Sequence, residues 1–199
     1  MKFARPRRRW FWPTSYAERI SEIDIDKLAI AGIRGALIDL DNTLVGYRTH
    51  EPLPEEAAWI ARAQAAGINV VMLTNNGRPW ARTVAETLNI PIVPNANKPF
   101  QRGFKRALAL MALPKTAVVV IGDQLFTDIL GARICGLDTI LVPPLSKSDP
   151  WNTHWLRRFE RVVLHKFPHV SEIPPEPKDG PVAGDALPET AREEQTQPH

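Results

Sequence analysis

The chain has 199 residues, 44% of them hydrophobic, and a formal charge of +3, enough for one well-buried domain with tails. The charge is polarised. Residues 1 to 12 hold Lys2, Arg5, Arg7, Arg8 and Arg9 and no acid, whereas residues 171 to 199 hold seven acids against Lys178 and Arg192. The single cysteine, Cys135, excludes an intrachain disulfide and a cysteine-built zinc site and fits a reducing compartment; no apolar run approaches the roughly 18 residues of a membrane span.

In chain order, residues 1–13, "MKFARPRRRWFWP", read as a basic aromatic arm without the apolar stretch of a cleaved signal. Residues 14–170 read as one globular domain. Its strand candidates are "GALIDL" (35–40), "INVVMLT" (68–74), "IPIVP" (90–94), "AVVVIGD" (117–123) and "LDTILVP" (137–143). They are nearly continuous apolar runs, as in parallel strands covered on both faces. Between them "PEEAAWIARAQAAG", "RPWARTVAETLN", "PFQRGFKRALALMAL" and "LFTDILGARICG" have helical periodicity, two with Pro in the first turn and several ending at Gly or Asn. This alternation predicts an α/β fold, a doubly wound parallel sheet of five strands with helices on both sides. The segment "WNTHWLRRFERVVLHKF" (151–167) reads as a C-terminal helix packing an apolar face on the core, with a membrane contact as its alternative. Residues 171–199 hold six prolines and almost no bulky apolar side chain. Such a tail cannot bury enough surface to offset ordering entropy and is expected to be disordered.

The polar residues fall where open α/β sheets bind ligands, outside the carboxyl ends of the strands. Asp39 and Asp41 close the first strand, Thr74 with Asn75 and Asn76 the second, and Asp123 the fourth, with Asp128 five residues on; Lys98 precedes the third helix. Strand residues i and i+2 point the same way, so Asp39 and Asp41 can enter one cleft. With Asp123 they form a carboxylate cluster that repels itself unless a hard cation lies between, and Mg2+ suits oxygen ligands completed by water and substrate phosphate. The Thr74 hydroxyl, nearby backbone N–H groups and the Lys98 ammonium supply donors for a phosphoryl group. Taken singly these residues have plain readings: an Asx turn at "DLDNT", a solvated lysine, a turn threonine, a first-turn helix acid at Asp128. A calcium loop fails because Leu44 stands at the required glycine and His50 at the required glutamate. The five histidines show no ligand spacing. The order of four such elements, each at a strand end or helix start, points to phosphoryl transfer.

Asp39-Leu40-Asp41-Asn42-Thr43, Thr74, Lys98 and Gly122-Asp123 with Asp128 resemble, in order, the four motifs of the haloacid dehalogenase (HAD) superfamily. More narrowly, "DLDNTLV", "LTNN", "KP" and "VIGDQLFTDILGA" resemble its subclass IIIA phosphatases of the YqeG type, relatives of mitochondrial phosphatidylglycerophosphate phosphatase. The likeness runs from about residue 13 to about 168, "RRFERVVL" included. It implies a phosphatase in which Asp39 is the nucleophile and forms an aspartyl-phosphate, and Asp41 protonates the leaving alkoxide and then activates water. It implies Mg2+ held by the Asp39 carboxylate, the Asp41 backbone carbonyl and Asp123, with Asp128 ordering a metal-bound water or the lysine. Thr74, Asn75 and Lys98 would bind the phosphoryl oxygens.

Spacing bears on access. Thirty-three positions from Asp41 to Thr74 and 24 from Thr74 to Lys98 are consumed by a helix and a strand each, so no cap domain is expected and the site should be open, the alternative being a partner subunit that covers it. The expected substrate is a phosphomonoester, and an open site admits one attached to a large or embedded group such as phosphatidylglycerophosphate. Aromatic residues favour the headgroup zone and cations an anionic leaflet, so residues 1–13 suggest a protein in the cytoplasm, peripheral on the inner face of the membrane, with a plainly disordered arm as the alternative. Nucleic acid is a minor option for so short an arm. The rival readings are a soluble phosphatase of a sugar, nucleotide or protein phosphate and a slow-turnover scaffold that keeps the site.

Overall fold

The computed structural model describes residues 11–46 and 50–145. The first ten residues of the arm, the segment 151–167 and the tail 171–199 lie outside the described residues. A sheet of six parallel strands runs in the order β1-β6-β5-β2-β3-β4, with β1 Ser15–Tyr16, β2 Gly35–Ile38, β3 Asn69–Leu73, β4 Ile92–Val93, β5 Val118–Gly122 and β6 Asp138–Leu141. The architecture is the expected doubly wound one, with six strands instead of five. The extra strand, β1, pairs Ser15 with Ile140 and Tyr16 with Leu141. Two residues in a polar setting leave no apolar run to detect. β1 is pinned instead by Thr14, whose N–H donates to the Thr139 carbonyl at 3.0 Å and whose hydroxyl accepts from the Thr139 N–H at 3.0 Å.

Two faces of the sheet are covered because the strand residues alternate. Ala36, Ile38, Val70, Met72, Val119 and Ile121 pack with Trp59, Ile60, Ala63, Ala81, Val84 and Ala85. These come from α2 (Pro54–Ala65) and α3 (Pro79–Thr87), and α1 (Ile25–Ile30) adds Leu28. Leu37, Val71, Leu73 and Val120 pack on the other side with Phe104, Ala107 and Met111 of α4 (Gln101–Met111) and Ala132 of α5 (Gly131–Ile134). Each fully buried Val, Leu, Ile, Met or Phe among them contributes roughly 1.5–3 kcal/mol. Trp59 is wholly buried and satisfies its indole N–H on the Ile23 carbonyl at 2.7 Å.

Local sequence sets the helix ends. Pro54 and Pro79 open α2 and α3, where a missing N–H costs nothing. α4 stops at Ala112, which takes a left-handed conformation. "LFTDILGARICG" departs from the simple helix expected: Leu125–Leu130 is a π-helix that runs into the short α5, a form common at functional sites. The chain turns from β2–β3–β4 on one side of β2 to β5–β6 on the other, so the switch point lies between β2 and β5.

Candidate active site

β2 ends at the switch point and delivers the pair of aspartates. The Asp39 N–H continues the ladder, donating to the Ile121 carbonyl at 3.0 Å. The chain then makes a tight turn closed by an Asp41–Val45 bridge, with Asn42 at φ 61°, a left-handed conformation that Asn tolerates better than most residues. β3 delivers Thr74, whose N–H donates to Val93 at 3.2 Å. β5 delivers Asp123, and the π-helix after it delivers Asp128. Gly122 is required by this packing, since a Cβ there would lie 2.5 Å from the Asp128 carboxyl carbon.

Lys98 reaches the same point from the start of α4, through a cis Lys98–Pro99 bond. Its Nζ, nearly sealed from solvent, donates to Asp39 Oδ1 at 2.5 Å and to Asp128 Oδ1 at 2.6 Å. The other Asp128 oxygen accepts from the Gln124 N–H at 3.1 Å. Both Asp128 oxygens are thus engaged by protein donors, which makes it the group that orders the lysine. Burial by itself pushes the Lys98 ammonium down, but the charges of Asp128 and Asp39 outweigh it and hold the pKa above the usual lysine value.

Around Asp41 the partners differ. The Thr74 hydroxyl donates to Asp41 Oδ2 at 3.4 Å and accepts from the Asn76 N–H at 2.9 Å. The Asn76 amide donates to Asp41 Oδ1 at 3.3 Å. Burial, and next the negative charge of Asp39, raise the Asp41 carboxyl above its usual range, partly offset by Asn76 and Thr74. Asn75, read from the sequence as a phosphate binder, uses its side chain otherwise: its Nδ2 donates to the Lys98 carbonyl at 3.1 Å and its Oδ1 accepts from the Lys98 N–H at 2.7 Å. That clasp fixes the backbone from which the lysine projects and leaves backbone N–H donation as what Asn75 offers a phosphoryl group.

The model of the haloacid dehalogenase-like hydrolase matches residues 2–136 of the chain. The chain belongs to that hydrolase family. It is 37% identical over 166 residues to the probable phosphatase YqeG of Bacillus subtilis, covering 83% of this chain and 96% of that protein. It is 27% identical to the chloroplastic phosphatidylglycerophosphate phosphatase 1 of Chlamydomonas reinhardtii, over 82% of this chain and 64% of that protein. Among solved structures, the deoxy-D-mannose-octulosonate 8-phosphate phosphatase of Haemophilus influenzae is similar at a TM-score of 0.47 and 14% identity, over 57% of this chain and 70% of that chain. This hydrolase is a phosphatase, as the curated relatives it matches are named.

Two residues that sequence reasoning gave no role complete the hydrolase site. Thr43 bridges Asp39 Oδ2 at 3.5 Å and Asp123 Oδ1 at 3.4 Å, and Asn76 binds the Asp41 carboxylate. Both lie inside quoted motifs, "DLDNT" and "TNN", yet a hydroxyl or amide beside an acid has no pattern that announces it.

The donor set fits a divalent cation. Asp39, Asp123 and Asp128 each place a carboxylate oxygen within 4.8 Å of the others. Three carboxylates against one ammonium leave two negative charges in excess. Asp123 Oδ2 is buried and has no hydrogen-bond partner. Burial, then the charges of Asp39 and Asp128, push the Asp123 carboxyl up to about 9. A carboxyl whose folded pKa is raised holds a proton that the unfolded chain has released between about pH 4 and that value, so stability falls as pH rises through this window. A cation held there would replace the proton and remove the cost. We expect cation-free Asp123→Asn to melt several degrees above the cation-free wild type at pH 8 and near it at pH 5, with Mg2+ raising the melting temperature of the wild type only. Equal melting curves at pH 8 would show that Asp123 carries no such burden.

Proposed function

We propose that this phosphatase is a magnesium-dependent phosphomonoesterase acting through an aspartyl-phosphate on Asp39, on a phosphate ester carried by a lipid. The observation that carries the mechanism is the Asp39–Lys98–Asp128 chain beside an unpartnered Asp123 oxygen, with an acid at Asp41 held by partners of its own, Thr74 and Asn76. The Asp39 carboxylate, the Asp41 backbone carbonyl and Asp123 would hold the ion, which supplies charge neutralisation of the nucleophile and polarises the phosphoryl oxygens.

Asp39 attacks phosphorus, and Lys98, hydrogen-bonded to its Oδ1, orients the carboxylate. The same ammonium binds a phosphoryl oxygen as charge develops there. Asp41 keeps its proton to a higher pH than a free carboxyl and gives it to the leaving alkoxide; ionised, it takes a proton from the water that cleaves the acyl phosphate. As Asp41 changes state, the Thr74 hydroxyl and Asn76 amide follow it, holding its orientation.

This division of labour has a chemical signature. In Asp41→Asn, turnover of alkyl phosphates should fall by about 10²–10⁴-fold. The variant should still release close to one nitrophenolate per protein from p-nitrophenyl phosphate in a burst, because that leaving group needs no proton. Rapid-quench measurement decides it, and equal losses on both esters with no burst would remove Asp41 as the acid.

Two observations favour a lipid ester. Among the described residues nothing is inserted between the motifs to cap the site, and a relative of 27% identity carries the name phosphatidylglycerophosphate phosphatase. The reading places the protein on the inner face of a membrane, in the cytoplasm. It is tested by screening phosphomonoesters, phosphatidylglycerophosphate among them, with Asp39→Asn as the blank. Higher kcat/KM on a sugar, nucleotide or protein phosphate would replace the lipid, and no turnover at all would favour a scaffold.

A further inference from the structure

We propose that the rim of the active site bearing Phe100 and Phe126 docks on an anionic lipid surface, an inference that rests on the lipid-ester reading above. Phe100 follows Lys98-Pro99 at the start of α4 and is 73% exposed; Phe126 lies between Asp123 and Asp128 and is 45% exposed. The two segments meet, for Lys98 Nζ binds Asp128 and a Cβ on Gly131 would lie 2.9 Å from the Pro99 Cα. The rings are therefore carried by two neighbouring segments at the carboxyl end of the sheet, one at the start of α4 and one in the π-helix.

A single exposed aromatic needs no explanation. The surrounding charge does. Between Glu86 and Asp123 the sequence has no acid and five cations, Lys98, Arg102, Lys105, Arg106 and Lys115. α4 turns Gly103, Phe104, Ala107 and Met111 into the core and leaves Arg102, Lys105 and Arg106 exposed. At 1.5 Å per residue Arg106 is about 9 Å along the axis from Phe100, roughly one Debye length. The cations thus lie, along the axis, within screening range of a surface that the ring of Phe100 touches. Rings settle in the headgroup zone, and each cation near an anionic leaflet raises the partition roughly fivefold. An ester whose phosphate stands in that zone is brought to the mouth without leaving the bilayer.

The test is sedimentation of the full chain with phosphatidylcholine vesicles, with and without phosphatidylglycerol. Wild type should sediment with the anionic vesicles only. Reversing charge in Arg102→Glu/Lys105→Glu/Arg106→Glu should lower the partition on the order of a hundredfold or more, Phe100→Ser should lower it about tenfold, and Phe100→Leu should restore it. Melting temperatures establish that each variant is folded. Asp39→Asn should sediment as wild type while losing turnover, so a failure of docking and a failure of the catalytic reading are distinguishable. The proposal is overturned if wild type sediments with neither vesicle. It is also overturned if folded α4 variants bind as wild type while Arg7→Ser/Arg8→Ser/Arg9→Ser abolishes binding, or if the α4 substitutions instead dissolve a self-association present without lipid.

Discussion

Asp39→Asn should lower turnover of every phosphomonoester by at least about 10⁴-fold, leaving a folded protein. The amide cannot displace a leaving group from phosphorus and cannot form the acyl phosphate. The substitution is close to isosteric, and the carboxyl it replaces lies within 4.8 Å of those of Asp123 and Asp128. Lys98 keeps one of its two acids, Asp128, at 2.6 Å. Labelled phosphate from the substrate should therefore be trapped on wild type in acid quench and be absent from the variant. A variant with full magnesium-dependent turnover would exclude the covalent route.

Lys98→Ala should lose both activity and stability, and the second loss is the more informative. Asp39 and Asp128 are each 5% exposed or less, and the ammonium is hydrogen-bonded to both. Removing one partner of a buried ion pair costs about 3–5 kcal/mol, because the remaining charges stay out of water. Chemical denaturation at pH 7 checks this. Protonation provides relief: burial, opposed by Lys98, already raises the Asp128 carboxyl to about 6, and without the lysine it should bind a proton more readily. The deficit in Lys98→Ala should shrink as pH falls from 8 to 5. A variant as stable as wild type at pH 8 would show that the lysine is not the counter-ion of the cluster.

Much of this arrangement is visible in the amino-acid order because parallel strands buried on both faces are written as unbroken apolar runs. "GALIDL" and "AVVVIGD" end where the apolar residues give way to acids, and that boundary is where Asp39 and Asp123 stand in the structure. β1 escaped detection because two residues tied through Thr14 and Thr139 have no hydrophobic signature. The orientation of polar side chains was less legible. Nothing in "LTNN" distinguishes an asparagine that clasps the Lys98 backbone from one that orients Asp41, since both depend on a loop more than twenty residues away or on the preceding strand end. The π-helix around Asp128 was hidden for a related reason: "LFTDIL" has ordinary helical spacing, and nothing in it announces the wider turn from which the carboxyl meets both Lys98 and the Gln124 N–H.

β2 lies in the interior of the sheet, laddered to β3 on one side and β5 on the other over its whole length. The strands at the two margins, β1 and β4, have two residues each and one neighbour. Transient opening that starts from either margin will free those short pieces well before it loosens the segment leading into Asp39. Asp39, the proposed nucleophile, is thus mounted on the strand of the described sheet that is last to breathe, and thermal fluctuation at the sheet margins can proceed without moving it.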